Sequence, residues 1–361
     1  MTGITDEQGR RAHPDPGAIC TLVIVPRERF GVALRSLKSV IEHNSGAAPV
    51  IYVDSGSPAH IAQELKTLCE AQGYQYQRHD ELLSPNRARN LGWRQALTPY
   101  VAFLDNDVIV SPGWLEQLVS CSEETGADVV APLTCQREPV HSEIHQAGGE
   151  FAVDHREFFA LPPTERRITD VHLLQGKQVS EVELTRGEAQ CCEFHCALAR
   201  VSTLEKIGGL DEALLATKEH IDFCMQVWSS GGTVMFEPRS IVTYLFPNRL
   251  SPLERTDWRY FVLRWSPRWQ RESLKHFQAK WDLHRDPYFE RRKQMLKWRL
   301  SEAIAKPLAS RIPAIDRSHT LKQAAIQSFT AVLVLWSEWL AWLNRTPDPQ
   351  PVRATASPSD R

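Results

Sequence analysis

Along the first 135 residues, short apolar runs rich in β-branched residues alternate with segments whose apolar positions recur every three or four. Residues 19–25 (ICTLVIV) read as a buried strand stopped by Pro26. Leu34, Leu37, Val40 and Ile41 then share one helical face. The same reading predicts strands at 50–53, 74–77, 100–104 and 128–131, and helices at 61–71, 86–96 and 114–121. Strands alternating with helices of this length imply a mainly parallel sheet covered on both faces. Ligands of such sheets bind outside the carboxyl ends of the strands. Asp54-Ser55-Gly56-Ser57 and Asp105-Asn106-Asp107 both fall at such ends.

The far end of the chain has a different texture. Residues 326–343 (IQSFTAVLVLWSEWLAWL) predict a helix with two apolar stripes and a narrow polar face of Gln327, Thr330, Ser337 and Glu338. Such a helix packs on its own domain, on a partner, or in a membrane interface, where Trp is favoured. Glu338, mid-helix, argues against spanning. Residues 1–17 and 346–361 are polar and Pro-containing, and are expected to be disordered.

Charge sharpens this division. The 361 residues carry 42 Lys+Arg against 44 Asp+Glu, so the near-neutral total argues against a chain-wide nucleic-acid binder. Residues 1–250 are net −11, whereas residues 251–300 hold 13 basic and 6 acidic side chains among many aromatics. That segment reads as a surface for something anionic or amphipathic, or as helices whose Arg and Lys stems cover apolar surface. Residues 1–17 show no apolar run of an export signal, and eight scattered cysteines lack framework spacing. A reducing, cytoplasmic setting is therefore expected. Cys191, Cys192, His195 and Cys196 admit a zinc reading, but the stretch is strand-like and has no second ligand pair at finger spacing.

Asp105 and Asp107 flank one residue at the end of a very apolar strand, which puts two carboxylates within reach of one hard cation. A plain polar turn has the same composition. Asp54 can accept hydrogen bonds from a base or ribose. In 85–92 (PNRARNLG), Arg89 can reach a diphosphate and Asn90 can fix the loop around it.

These residues converge on a family. Val25-Pro26, Val53-Asp54-Ser55-Gly56-Ser57, Ala88-Arg89-Asn90-Leu91-Gly92, Phe103-Leu104-Asp105-Asn106-Asp107 and Val110-Ser111-Pro112-Gly113-Trp114 resemble, in order, motifs of family 2 glycosyltransferases with the GT-A fold. Ile207-Gly208-Gly209-Leu210-Asp211-Glu212 resembles the family's G-G-F-D-E turn. Glu219-His220-Ile221-Asp222 resembles its E-D-x-D helix, and 231–238 its closing strand. The resemblance covers residues 19–245.

It implies a nucleotide-diphospho-sugar donor, a saccharide or lipid-linked hydroxyl acceptor, and Mn²⁺ or Mg²⁺. By position, Pro26, Arg27, Asp54, Arg89, Asn90, Asp105 and Asn106 would line the donor site. Asp105 and Asp107 would hold the metal. Glu219 would take the acceptor proton, with Asp222 as second choice or as an orienting group. There are departures. Arg27-Glu28-Arg29 replaces the usual residues after the first Pro, and His220 replaces the second acid of E-D. Tyr244 stands where a further metal-binding histidine is expected. His195 is open to that role, to acceptor contact, or to simple burial; His220 is a further acceptor-side candidate.

The expected organisation is a GT-A domain over 18–248, with a nucleotide-sugar half (18–135) and an acceptor half (136–248). A basic, aromatic, helical region follows over 249–345; packing on the domain is the first reading for it, and peripheral contact to the inner face of a membrane through 251–343 the second. Residues 139–190 carry no recognised motif and are expected to form acceptor-side loops. Competing readings are a nucleotidyltransferase, against which the absence of glycine at 25–28 speaks, and a catalytically degenerate sugar-nucleotide binder.

Overall fold

A computed structural model describes residues 19–44, 48–151, 153–245, 253–284 and 287–344. The termini expected to be disordered and the domain boundary expected at 248 lie outside them. The strands are β1 (Cys20–Val25), β2 (Val50–Ser55), β3 (Gln75–His79), β4 (Tyr100–Asp105), β5 (Val108–Val110), β6 (Val129–Gln136), β7 (Glu143–Gln146), β8 (Gly149–Phe151), β9 (Asp170–His172), β10 (Gly187–Glu188), β11 (Cys196–Arg200) and β12 (Val234–Tyr244). The helices that matter here are α1 (Ala33–Glu42), α2 (Ala59–Ala71), α3 (Pro85–Trp93), α4 (Trp114–Thr125), α5 (Val201–Lys206), α6 (Glu219–Ser229), α7 (Trp258–Arg264), α8 (Pro267–Lys280), α9 (Pro287–Gln294) and α10 (His319–Leu343).

The main sheet runs β10-β12-β6-β11-β4-β1-β2-β3, with β5 on β12 and β7 on β6. It is parallel from β3 to β4 and again between β6 and β12. Antiparallel β11 joins the two blocks. The predicted mixed, mainly parallel α/β architecture with a helical C-terminal region is therefore present, and each predicted element appears with bounds shifted by a few residues. Residues 139–190, expected as loops, include β7, β8, β9 and β10. In β7 only Ile144 and Gln146 are buried, too few for a clear period.

Alternating strand residues feed two cores. Cys20, Leu22 and Ile24 enter one with Leu37, Leu65 and Trp114, whereas Val23 and Val25 enter the other with Ala88, Phe103 and Phe223. Gly92 lets α3 press onto β1, since a Cβ there would collide with the Val23 side chain.

The C-terminal helices pack on the segments that follow β1 and precede α3. Tyr260 of α7 donates to the Leu83 carbonyl at 2.8 Å and meets Phe30 edge-on. Asp257 accepts from the Phe30 amide at 2.8 Å.

The sheet order decides where chemistry can gather. Chain order along this half is 3-2-1-4, so the connections diverge between β1 and β4, and a crevice opens there at the carboxyl ends. Because β11 is antiparallel to β4, its amino end meets the same edge, pairing Cys196 with Leu104. Tyr244 pairs with Gln136 there as well, at the ends of β12 and β6.

Candidate active site

A cavity of about 600 Å³ lies along this edge. Arg27, Arg89, Asp105, His195, Glu219 and His220, all predicted from sequence, line it. Pro26, Asp54, Asn90, Asn106, Asp107 and Asp222 do not form its wall.

The turn after β4 is tied to its neighbours by backbone bonds. Asn106 N–H donates to the Val25 carbonyl at 3.0 Å, and Asp105 N–H to the His195 carbonyl at 3.1 Å. The Asn106 side chain accepts from the Arg27 amide at 2.8 Å, so Asn106 fixes the strand-end loops to one another. This leaves three ligating side chains together: Asp105, Asp107 and His195, whose nearest ligand atoms lie within 4.8 Å of one another. All three are at least 98% buried.

Neither carboxylate oxygen of Asp107 has a hydrogen-bond partner among the described residues. Burial and the adjacent Asp105 charge push its carboxyl up to about 7. Asp105 behaves oppositely. Burial would raise it, but the guanidiniums of Arg27 (3.4 Å) and Arg89 (2.8 Å) hold it well below the usual carboxylate range. A buried carboxylate with two unfilled acceptors, beside a second carboxylate and an imidazole, is a donor set for a hard dication such as Mn²⁺ or Mg²⁺. The zinc reading has no such support: His195 turns to Asp105 and Glu193, while Cys192 meets Cys224 with sulfurs 3.6 Å apart.

Arg89 does not project into open space. It is fully buried, bonded to Asp105, and its guanidinium lies 4.1 Å from the Phe194 ring centroid. Asn90 bonds across to the 207–212 turn: its amide donates to the Leu210 carbonyl and Glu212 at 2.8 Å. Asp54 is 1% exposed and already accepts from Arg78 at 2.6 Å and from the Tyr76 hydroxyl.

Glu219 opens α6 after Lys218, whose φ of 71° turns the chain into the helix. It faces the cavity, with Arg264 of α7 3.5 Å away; Arg264 also reaches Glu28 at 3.2 Å. Asp222, one turn on, is sealed. It accepts from Lys280 and from the Trp281 indole, each at 2.8 Å. Burial raises its pKa, despite Lys280.

Sequence reasoning missed a hub on the opposite wall. Glu193 receives His195 (2.9 Å), His172 (3.1 Å) and His145 (3.7 Å). Asp170 contacts His172 (3.3 Å) and His220 (3.6 Å). Burial opposes charge on His172, but its bonds to Asp170 and Glu193 carry it up to about 10. The one local signal was the alternation Glu143-Ile144-His145, which puts two polar side chains on one face of β7. The C-terminal region adds Arg264, Trp265, Trp298 and Arg299 to the cavity, with Arg299 against both indoles.

The sequence profile described as glycosyl transferase family 2 matches residues 21–208, slightly more than half of the chain. The chain belongs to this family. It is 26% identical over 245 residues to the pre-mycofactocin glycosyltransferase of Mycobacterium tuberculosis, covering 64% of this chain and 45% of that one. It is 31% identical over 237 residues to an uncharacterized glycosyltransferase of Rickettsia conorii, covering 63% and 35%. The chain thus spans less than half the length of these curated relatives. In fold it resembles GalNAc-T7, whose crystal structure holds UDP, GalNAc and Mn²⁺ (TM-score 0.51, 16% identity, 86% of this chain and 61% of that one).

Proposed function

We propose that this protein transfers a sugar from a nucleotide-diphospho-sugar to a hydroxyl acceptor, a glycan or a lipid-linked saccharide, with inversion at the anomeric carbon. The observation that carries this reading is the unpartnered, buried Asp107 carboxylate beside Asp105 and His195, at the sheet's switch point. Asp105, Asp107 and His195 would hold Mn²⁺ or Mg²⁺, which would neutralise diphosphate charge as the nucleotide departs.

The protein's own groups do the rest. Arg27, whose side chain is 16% exposed at the cavity wall, stands beside Asp105 to meet the diphosphate. Arg89 acts through Asp105, fixing its orientation. Asp54, Pro26 and the Asn106-tied loop shape the base and ribose side, where Arg78 must release Asp54 for it to bond a base. Glu219 accepts the proton of the acceptor hydroxyl. The freed oxygen attacks the anomeric carbon from the face opposite the diphosphate, and the bond to the diphosphate oxygen breaks with its electron pair. Arg264, 3.5 Å away, aims Glu219. His195 serves the metal side, while His220, with Asp170, faces the acceptor.

On this reading residues 18–135 form the donor half, 136–248 the acceptor half, and the helical region completes the cavity. Eight free thiols fit a reducing compartment and a cytoplasmic site of action.

The test is nucleoside diphosphate release from a panel of donors with Mn²⁺. Release that disappears in Asp107→Ala, and a Glu219→Gln variant that binds donor without turnover, support the proposal. Tight donor binding with no release or transfer to any acceptor pool would make the chain a sugar-nucleotide binder instead.

A further inference from the structure

Helix α10 is long and apolar enough, by length and composition, to cross a membrane, yet the fold uses only one of its faces. Ile326, Thr330, Leu333, Ser337, Leu340 and Ala341 are buried against α7, α8 and the turns between α9 and α10. The two hydroxyls on that face bond within the helix, Thr330 to the Ile326 carbonyl and Ser337 to that of Val334, each at 2.7 Å. A helix locked to its own domain along one side lies flat and does not thread a bilayer.

The opposite face is bare. Leu321, Val332, Leu335, Trp339, Trp342 and Leu343 are between 50% and 72% exposed. With Ala324, Ser328 and Ala331 they follow the three-four spacing of one continuous stripe, with a single acid, the partly exposed Glu338, on its flank. Monomeric proteins rarely leave so large an apolar strip in water. Two indoles at its C-terminal end suit the headgroup boundary, where a ring with an apolar body and a polar N–H is favoured.

Charge selects the occupant. A groove of about 420 Å³ beside the stripe lies between Ile326, Gln327, Thr330 and Ala331 of α10 and the segment carrying Lys297, Met295 and Trp298, the last two nearly half exposed. Arg291 and Lys297 are exposed on the same segment, and Arg311 and Arg317 on the turns leading into α10. Apolar stripe and basic border together match an anionic interface, to which each nearby Lys or Arg is attracted. A second copy of the chain would bring the same basic borders together.

We propose that the stripe Leu321–Val332–Leu335–Trp339–Trp342, bordered by Arg291, Lys297, Arg311 and Arg317, docks the protein flat on an anionic lipid surface. The proposal goes beyond the transfer reaction and does not depend on it. The catalytic cavity shares Trp298 with the groove, so docking would set the cavity mouth beside the headgroups.

The full chain is tested by co-sedimentation with vesicles of phosphatidylcholine alone and of phosphatidylcholine with phosphatidylglycerol. Binding is expected only with phosphatidylglycerol, weakening as salt rises. The double variant Leu335→Glu/Trp339→Glu should bind at least about tenfold less, with thermal unfolding and lipid-free donor hydrolysis unchanged. Arg311→Glu/Arg317→Glu should reduce binding while leaving the stripe intact. Two results overturn the proposal: no binding to anionic vesicles at low salt, or equal binding by the stripe variant. A dimer in sedimentation velocity that the stripe variant dissolves also overturns it, in favour of self-association. Vesicle binding with neither donor hydrolysis nor transfer to any acceptor pool would refute the catalytic reading and leave the docking surface standing.

Discussion

The ring of Tyr244 lies flat on His195, centroids 3.9 Å apart and planes 19° from parallel. The closing strand delivers a phenol to the strand-end edge, and antiparallel β11 delivers the imidazole. Tyr244 thereby braces a histidine that arrives from another part of the sequence. His195 Nε2 also pairs with Glu193 at 2.9 Å, whereas Nδ1 lies 3.2 Å from Asp105 without a hydrogen bond.

His195→Ala should therefore weaken Mn²⁺ binding at least about tenfold, measured by calorimetric titration. Tyr244→Phe keeps the stacked ring and should bind Mn²⁺ nearly as wild type does. Equal affinity in His195→Ala would remove this residue from the ligand set.

Asp107→Asn separates the cost of the empty carboxylate from its use. Without metal, two buried oxygens lack partners, so replacing the charge should raise the melting temperature by a few degrees at pH 8. Added Mn²⁺ should stabilise the wild type and leave the variant unmoved. A variant that still gains stability from Mn²⁺ would place the cation elsewhere.

Lys280 is the shared cation of two buried acids, 2.8 Å from both Asp211 and Asp222 and itself 3% exposed. Lys280→Met leaves both carboxylates under-compensated and should cost about 3–5 kcal/mol in denaturant unfolding. Adding Asp222→Asn should recover part of that loss. No loss in the single variant would mean that His276, 2.9 Å from Asp211, suffices.

His172 makes stability depend on pH in a known direction. Its folded pKa, about 10, lies above its ordinary value of 6.5 because of Asp170 and Glu193. Its contribution is complete below about pH 6.5 and is lost as pH rises through 10. The stability gap between wild type and His172→Gln should be widest near pH 6 and shrink steadily toward pH 10. A gap that widens with pH would show that the histidine is neutral in the fold.

Local pattern sufficed for the strand-helix alternation, for the acids at the ends of β2 and β4, and for the motif order that names the family. Each depends on neighbours a few residues apart, on periods of two or 3.6, and on turns that end a strand. The same locality leaves the tertiary partners unread. Arg89 and Asn90 looked like donor contacts, yet their partners, Asp105 and the 207–212 turn, come from elements 16 and more than 100 residues away. Asp222 read as a possible base until Lys280 and Trp281 closed over it. The hub joins Glu193, in the loop before β11, to His145 of β7 and His172 of β9, short strands whose pattern is too brief to read. Sheet order alone decided which strand ends share an edge, and burial there decided which carboxylates are paired and which one, Asp107, has neither oxygen hydrogen-bonded.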